Sequence, residues 1–133
     1  MKTKKIKGNK AELLIYNVLC DLHSEENVTP ISEAFVALGI LKAGQSKSGN
    51  YDIKYKDSED KVFFVEVKSG EGNQFFITEA EYNFAKANPD LYKVYLVNNF
   101  ESDPPEYVEL PLKFWKDSRF RVKEVIEKYD VDF

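Results

Sequence analysis

The chain has 133 residues, 43% of them hydrophobic and 14% aromatic, with a formal charge of −4 at neutral pH and a pI near 5.1. This length suits a single domain, residues 1–133, with one core and no room for a second, and the apolar share excludes wholesale disorder. The acidic balance excludes a protein that grips nucleic acid through a general positive surface, but not a nuclease whose bound cation supplies the positive charge.

No apolar run approaches the length of a membrane span. The basic stretch Met1–Lys10 lacks the apolar centre of a signal peptide. Cys20 is the only cysteine, so no internal disulfide can form, and a cytoplasmic protein is the simplest expectation. Lysines crowd the start of the chain (Lys2, Lys4, Lys5, Lys7, Lys10) and recur at Lys42, Lys47, Lys54 and Lys56. A solvated surface and a contact surface are equally good readings of them.

Residues 1–8 read as a frayed basic tail. Asn9 has the character of a helix cap, and Leu13, Leu14, Tyr16, Val18, Leu19 and Leu22 follow at helical spacing. A first helix is therefore predicted from Asn9 or Lys10 to about His23. Glu12 falls in the first turn of that helix, where a carboxylate complements the helix dipole or faces a site beyond it. Residues 27–41 fit either a strand over Val28–Val36 or a short helix over Glu33–Leu38; the strand is preferred, because the hairpin that follows needs a neighbour. Gly44–Asn50 is a polar loop.

Two strand-type runs come next, Tyr51–Tyr55 and Val62–Lys68, separated by the charged turn segment KDSED. After the polar loop SGEGNQ and the short apolar run FFIT, Thr78 and Glu81 have capping-box spacing, so a helix is predicted after Thr78 and ends before Asn88-Pro89-Asp90. Tyr92–Asn98 is a strand. The helix before it predicts that it runs parallel to a central neighbour. Tyr107–Leu110 reads as an edge strand, and Val122, Val125, Ile126 and Tyr129 have the spacing of a C-terminal helix over Phe120–Tyr129. The whole predicts an α/β or α+β domain with a mixed sheet.

The chemistry concentrates in the hairpin. Strand side chains alternate between faces, so Glu66 and Lys68 point one way and Val67 the other. Pairing of the two runs brings Asp52, at the start of one, beside Glu66 and Lys68, at the end of the other. Asp52 and Glu66 are apt ligands for Mg2+, a hard cation that takes oxygen donors and keeps several waters. The Val67 carbonyl is a third donor from the same strand end. Lys68 is placed to orient a water or to stabilise charge developing on a phosphate. By itself this spacing is weak, because an E-x-K pair is more often a solvated ion pair worth under about 1 kcal/mol.

The order of these features is more specific. The segment GNYDIKY…FFVEVKSGEGNQFFITEAEYNFA…YKVYLV resembles the domain found at the C terminus of the plant NO VEIN protein and in many bacterial restriction-type proteins. That family looks like a branch of the restriction-endonuclease-like PD-(D/E)xK superfamily. The matching positions are Glu12 in the first helix, the strand carrying Asp52, the strand carrying Glu66 and Lys68, and the helix start Phe75, Phe76, Thr78 and Glu81. The resemblance covers about residues 8–98. It implies an α-β-β-β-α-β core and a Mg2+- or Mn2+-dependent endonuclease acting on DNA, in defence against foreign DNA. Asp52 and Glu66 would be ligands, Lys68 the catalytic lysine and Glu12 an accessory ligand, while Thr78 and Glu81 are read as helix capping. Relatives often carry helicase, ATPase or specificity domains. This chain shows none, so the expectation is either a stand-alone protein or targeting by a separate targeting or ATPase protein. The other expectation is a catalytically inactive nuclease fold that serves as a binding module or inhibitory partner.

The remaining polar residues carry less. His23 is the only histidine, which disfavours a Ser-His or Cys-His pair and a zinc site, and it is read as a helix C-cap. Cys20, Phe114 and Trp115 are read as core. Asn73 and Gln74 follow the site loop, where such residues are common whether or not they touch substrate.

Overall fold

In a computed structural model, residues 2–47 and 49–133 are described. Met1 and Ser48, which fall in the expected tail and loop, lie outside them. The centre is a five-stranded sheet in the order β1 (Val28–Pro30), β2 (Ile53–Lys56), β3 (Val62–Ser69), β5 (Tyr92–Asn98), β6 (Glu106–Glu109). β1–β2 and β2–β3 pair antiparallel, β3–β5 parallel, and β5–β6 antiparallel. β4 (Gln74–Thr78) leaves this sheet and joins a second one, in the order β4, β8 (Lys128–Asp132), β7 (Arg121–Val125). The helices are α1 (Lys2–His23), a single turn α2 (Ala34–Ala37) and α3 (Glu79–Ala87). None is long and apolar enough to cross a membrane.

Strand alternation divides the core into two halves. Val65 and Val67 of β3, Ile53 and Tyr55 of β2, and Tyr95 and Val97 of β5 face α1, where Ala11, Ile15 and Leu19 cover them. On the opposite face, Tyr92, Val94 and Leu96 of β5 pack against Tyr82 and Ala85 of α3, Phe75 and Ile77 of β4, and Val131 of β8. The central sheet therefore lies between α1 on one side and α3 with the small sheet on the other. β6 is partly exposed along its whole length and carries glutamates at both ends, which discourages edge-to-edge association. The turn from β3 into β4 requires glycine at position 70, because a Cβ there would lie 2.4 Å from the Gln74 carbonyl oxygen.

The expected hairpin, the parallel strand and the edge strand are all present. Three expectations change. The helix expected over Phe120–Tyr129 is the β7–β8 hairpin, turning at Ile126–Glu127 with Glu127 at φ 60°. The spacing of Val122, Val125, Ile126 and Tyr129 fits a helix, but Lys-Tyr-Asp-Val-Asp also alternates. β4 then decides between them, because it buries Phe75 and Ile77 and its backbone needs a partner, which β8 supplies. The second change is at the start, where α1 begins at Lys2 rather than at Asn9 or Lys10 and takes in the expected tail. Lysines are good helix formers, and the helix runs through Gly8 despite its cost of about 1 kcal/mol. Glu12 is therefore inside the helix and not in its first turn. The third is residues 27–41, where a short strand, Val28–Pro30, is followed by a helical turn, Ala34–Ala37, in place of one strand to Val36.

Candidate functional site

The β2–β3 register opposes Ile53 to Val65 and Lys56 to Val62, which sets Asp52 across from Glu66. Asp52 is pinned by its backbone on both sides. Its N–H donates to the Val65 carbonyl at 2.8 Å, and its own carbonyl accepts from Ile31 and Ser32 at 2.9 and 3.3 Å. Its side chain stays in the plane of the sheet, where the carboxylate Oδ2 accepts the Val67 N–H at 2.8 Å. The carboxylate thus takes the ladder position on β3 that β2 no longer reaches. A strand residue's carbonyl lies on the same edge as its N–H, so the Val67 carbonyl also faces the Asp52 side.

Glu66 projects from β3 toward α3 and is the one charged residue among the described residues that is fully buried, at 5% exposure. Lys68 follows on the same face. Its ammonium lies 3.4 Å from Glu66 Oε1 and donates to Glu81 Oε1 at 2.9 Å. Glu81 is held from its other side by the capping box, in which the same Oε1 accepts the Thr78 N–H at 2.9 Å and Thr78 Oγ1 accepts the Glu81 N–H at 3.1 Å. On the α1 side, Glu12 accepts a short hydrogen bond from the Ser32 hydroxyl and lies beside the Asp52 carboxyl. Asp52 therefore stands between Glu12 on one face of the sheet and Glu66 with Lys68 on the other.

These carboxyls are short of positive charge. Burial, then the charge of Asp52, pushes Glu12 up to about 8. Glu66 is raised well above the ordinary carboxylate range, first by burial and then by Asp52, with Lys68 pulling the other way. Burial also raises Asp52, against the Val67 N–H and Lys68. Burial alone would lower Lys68, but Glu66 and Glu81 outweigh it and its pKa rises. For Glu81 burial is likewise opposed, here by Lys68 and the Thr78 N–H, and its pKa falls. Tyr92, whose hydroxyl donates to the Asn50 carbonyl at 3.1 Å, is raised by burial and by the nearby carboxylates Glu66, Glu81 and Asp52.

A divalent cation fits this donor set in type and in charge. Asp52, Glu66 and the Val67 carbonyl are hard oxygen donors, as Mg2+ requires, and Glu12 is a further carboxylate next to Asp52. Among the described residues no three His, Cys, Asp or Glu side chains already converge as a ligand cluster, so the fit rests on two carboxylates and a carbonyl with waters, and Glu12 adds charge.

The five predicted site residues thus come together at one end of the sheet. Three others join them. Ser32 touches Glu12 across a separation of twenty positions, which no local pattern signals. Tyr92 enters through the parallel pairing of β3 and β5. Glu81 is visible in the sequence as a cap, but its bond to Lys68 is not. The other polar positions make contacts within the fold. The His23 ring stacks on Tyr55 with centroids 4.4 Å apart, and the C-capping bond expected there is made by Asn27, whose Nδ2 donates to the His23 carbonyl at 2.8 Å. Gln74 ties β4 to Asp130 of β8, while the Asn73 carbonyl accepts the Phe133 N–H. Phe114 is core, Trp115 packs against it, and Cys20 lies against the α1 side of the core.

No curated protein and no solved structure matches the chain. One family model does, described as "Protein NO VEIN, C-terminal", over residues 11–110. The match takes in Glu12, Asp52, Glu66, Val67, Lys68 and Glu81 together with α3, β5 and β6, and leaves β7 and β8 outside. On this match over most of its length, the chain belongs to the family of the NO VEIN C-terminal domain.

Proposed function

We propose that the chain is a metal-dependent phosphodiesterase of the PD-(D/E)xK type, an endonuclease acting on DNA in defence against foreign DNA. The observation that carries this reading is the meeting of Asp52, buried Glu66 and Lys68 at one end of the sheet, with Glu12 reaching the same place from α1. The element order of the central sheet supports it: α1, strands β1, β2 and β3, α3 and the parallel strand β5 occur in the α-β-β-β-α-β order that the resemblance implies, with the turn α2 added after β1 and β4, a strand of the second sheet, added before α3.

A bound Mg2+ or Mn2+ would lower the pKa of a water molecule and polarise a phosphate oxygen. Asp52, Glu66 and the Val67 carbonyl hold the ion in this reading, with Glu12 as an accessory carboxylate. Lys68 supplies a fixed positive charge beside Glu66, where negative charge grows on a phosphate during in-line displacement. The exposed lysines Lys42, Lys47 and Lys56 are available to the DNA backbone. The net charge of −4 makes unaided DNA binding weak, which favours work with a separate targeting or ATPase partner; in this reading the protein acts in the cytoplasm.

The test is cleavage of plasmid and single-stranded DNA with Mg2+ or Mn2+. Glu66→Ala and Lys68→Ala are expected to abolish cleavage while circular dichroism is unchanged. Equal cleavage by the folded variants would overturn the assignment. A second reading, an inactive fold kept for binding a partner protein, is favoured by the acidic surface. It predicts no cleavage under any metal and a stable complex that copurifies.

A further inference from the structure

Lys68 has two carboxylate neighbours and does not treat them alike. It is hydrogen-bonded to Glu81 at 2.9 Å and makes a longer ion pair with Glu66 at 3.4 Å, while Glu66 and Glu81 lie within hydrogen-bonding reach of each other. Glu81 in turn cannot swing away, because Thr78 holds both its side chain and its backbone N–H. A glutamate that only caps a helix can remain in water. Glu81 instead leaves just 16% of its side chain exposed and meets a lysine that is 18% exposed. The groups facing Lys68 are Glu66, Glu81 and Asp52, with Glu12 beyond them on α1, and all are acids. Glu81 is the only one of the four that the capping box immobilises.

We propose that Glu81 is a positioning residue, fixed by the capping box of α3, which draws the Lys68 ammonium away from Glu66 and keeps the Glu66 carboxylate available to a divalent cation. The inference rests on the metal-site reading above. The physical reason is competition. An ammonium in full contact with Glu66 would satisfy the same oxygens that a cation needs, and the attraction between unit charges falls with distance. Without Glu81, the nearest acid left to Lys68 is Glu66, and the two would close on each other. The first turn of α3 is then part of the site even though it touches no ion.

The experiment measures Mn2+ binding to the full chain by isothermal titration and by the free-Mn2+ electron paramagnetic resonance signal, without reference to cleavage. Glu81→Gln is expected to weaken Mn2+ binding by about tenfold, in the range usual for groups that orient metal ligands. Glu81→Asp keeps the charge but shortens the arm, and it is expected to lose several-fold. Wild-type affinity in Glu81→Asp would mean that net charge alone matters, and would overturn the positioning role. The double variant Glu81→Gln/Lys68→Met, which has no lysine to close on Glu66, is expected to recover binding. Failure to recover would assign the loss to local structure and refute the inference. Thr78→Ala removes the hydroxyl half of the cap but keeps the backbone N–H that holds the Glu81 carboxylate, so binding is expected to stay within about threefold; a loss as large as that of Glu81→Gln would assign the effect to the helix start and refute the role of the Glu81–Lys68 bond. Should the unsubstituted chain bind no Mn2+, the metal-site reading falls and this inference with it. Should it bind, with Glu81→Gln equal to it, only the inference falls.

Discussion

Replacing Glu12 with glutamine should stabilise the protein at alkaline pH and leave it unchanged in mild acid. Glu12 is held at about 8, against an ordinary value of 4.5, chiefly by burial and then by Asp52. A raised acid binds its proton more tightly in the folded than in the unfolded chain. The folded state is therefore favoured fully below about pH 4.5, and that advantage is lost as pH climbs to about 8. At about 1.4 kcal/mol per unit the ceiling is on the order of 5 kcal/mol. Asp52 titrates together with Glu12, and the shared part is not removed by one substitution, so a gain of about 2–4 kcal/mol at pH 8.5 is expected. Glutamine keeps an oxygen that can accept the Ser32 hydroxyl bond. The assay is urea unfolding in EDTA from pH 4.5 to 8.5 for both proteins. The wild-type midpoint should fall with rising pH while the Glu12→Gln midpoint falls much less. Parallel curves across the range would refute the account of Glu12 as a buried, charge-starved carboxyl. Adding Mg2+ at pH 8.5 should return part of the difference to the wild type.

Gly70→Ala forces a Cβ to within 2.4 Å of the Gln74 carbonyl, a backbone atom that cannot move alone; a loss of about 2–3 kcal/mol is expected, read as a lower melting temperature. Phe114→Ala empties the centre of the aromatic group formed with Phe75, Tyr82, Trp115 and Phe120 and should cost about 3–5 kcal/mol in denaturant unfolding. The Cys20 thiol, raised by burial, should react with a maleimide at pH 7 more slowly than it does in urea-unfolded chain. Equal rates would contradict its packing against the core.

Much of the site was readable because it depends on short-range rules. Period-two alternation puts Glu66 and Lys68 on one face of β3, and the short turn between the strands brings Asp52 opposite. Capping-box spacing located the start of α3 at Thr78, where the structure has it. A helix between two strands implied the parallel pairing of β3 and β5. Each of these depends on residues close together in sequence, or on a connection too short to allow another arrangement.

What local rules left open was decided by packing. Residues 121–132 satisfy both a helical and a strand pattern, and the unpaired edge of β4 selects the strand. Glu12 owes its environment to Ser32 and Asp52, and Glu81 owes its second bond to Lys68. By itself, then, the sequence determined the hairpin, the cap and the identity of the charged groups, through periodicity and turn geometry. Only the tertiary structure decided how deeply those groups are buried and which carboxylate holds the lysine, because burial and charge pairing depend on elements that meet only when the sheet is closed between its two layers.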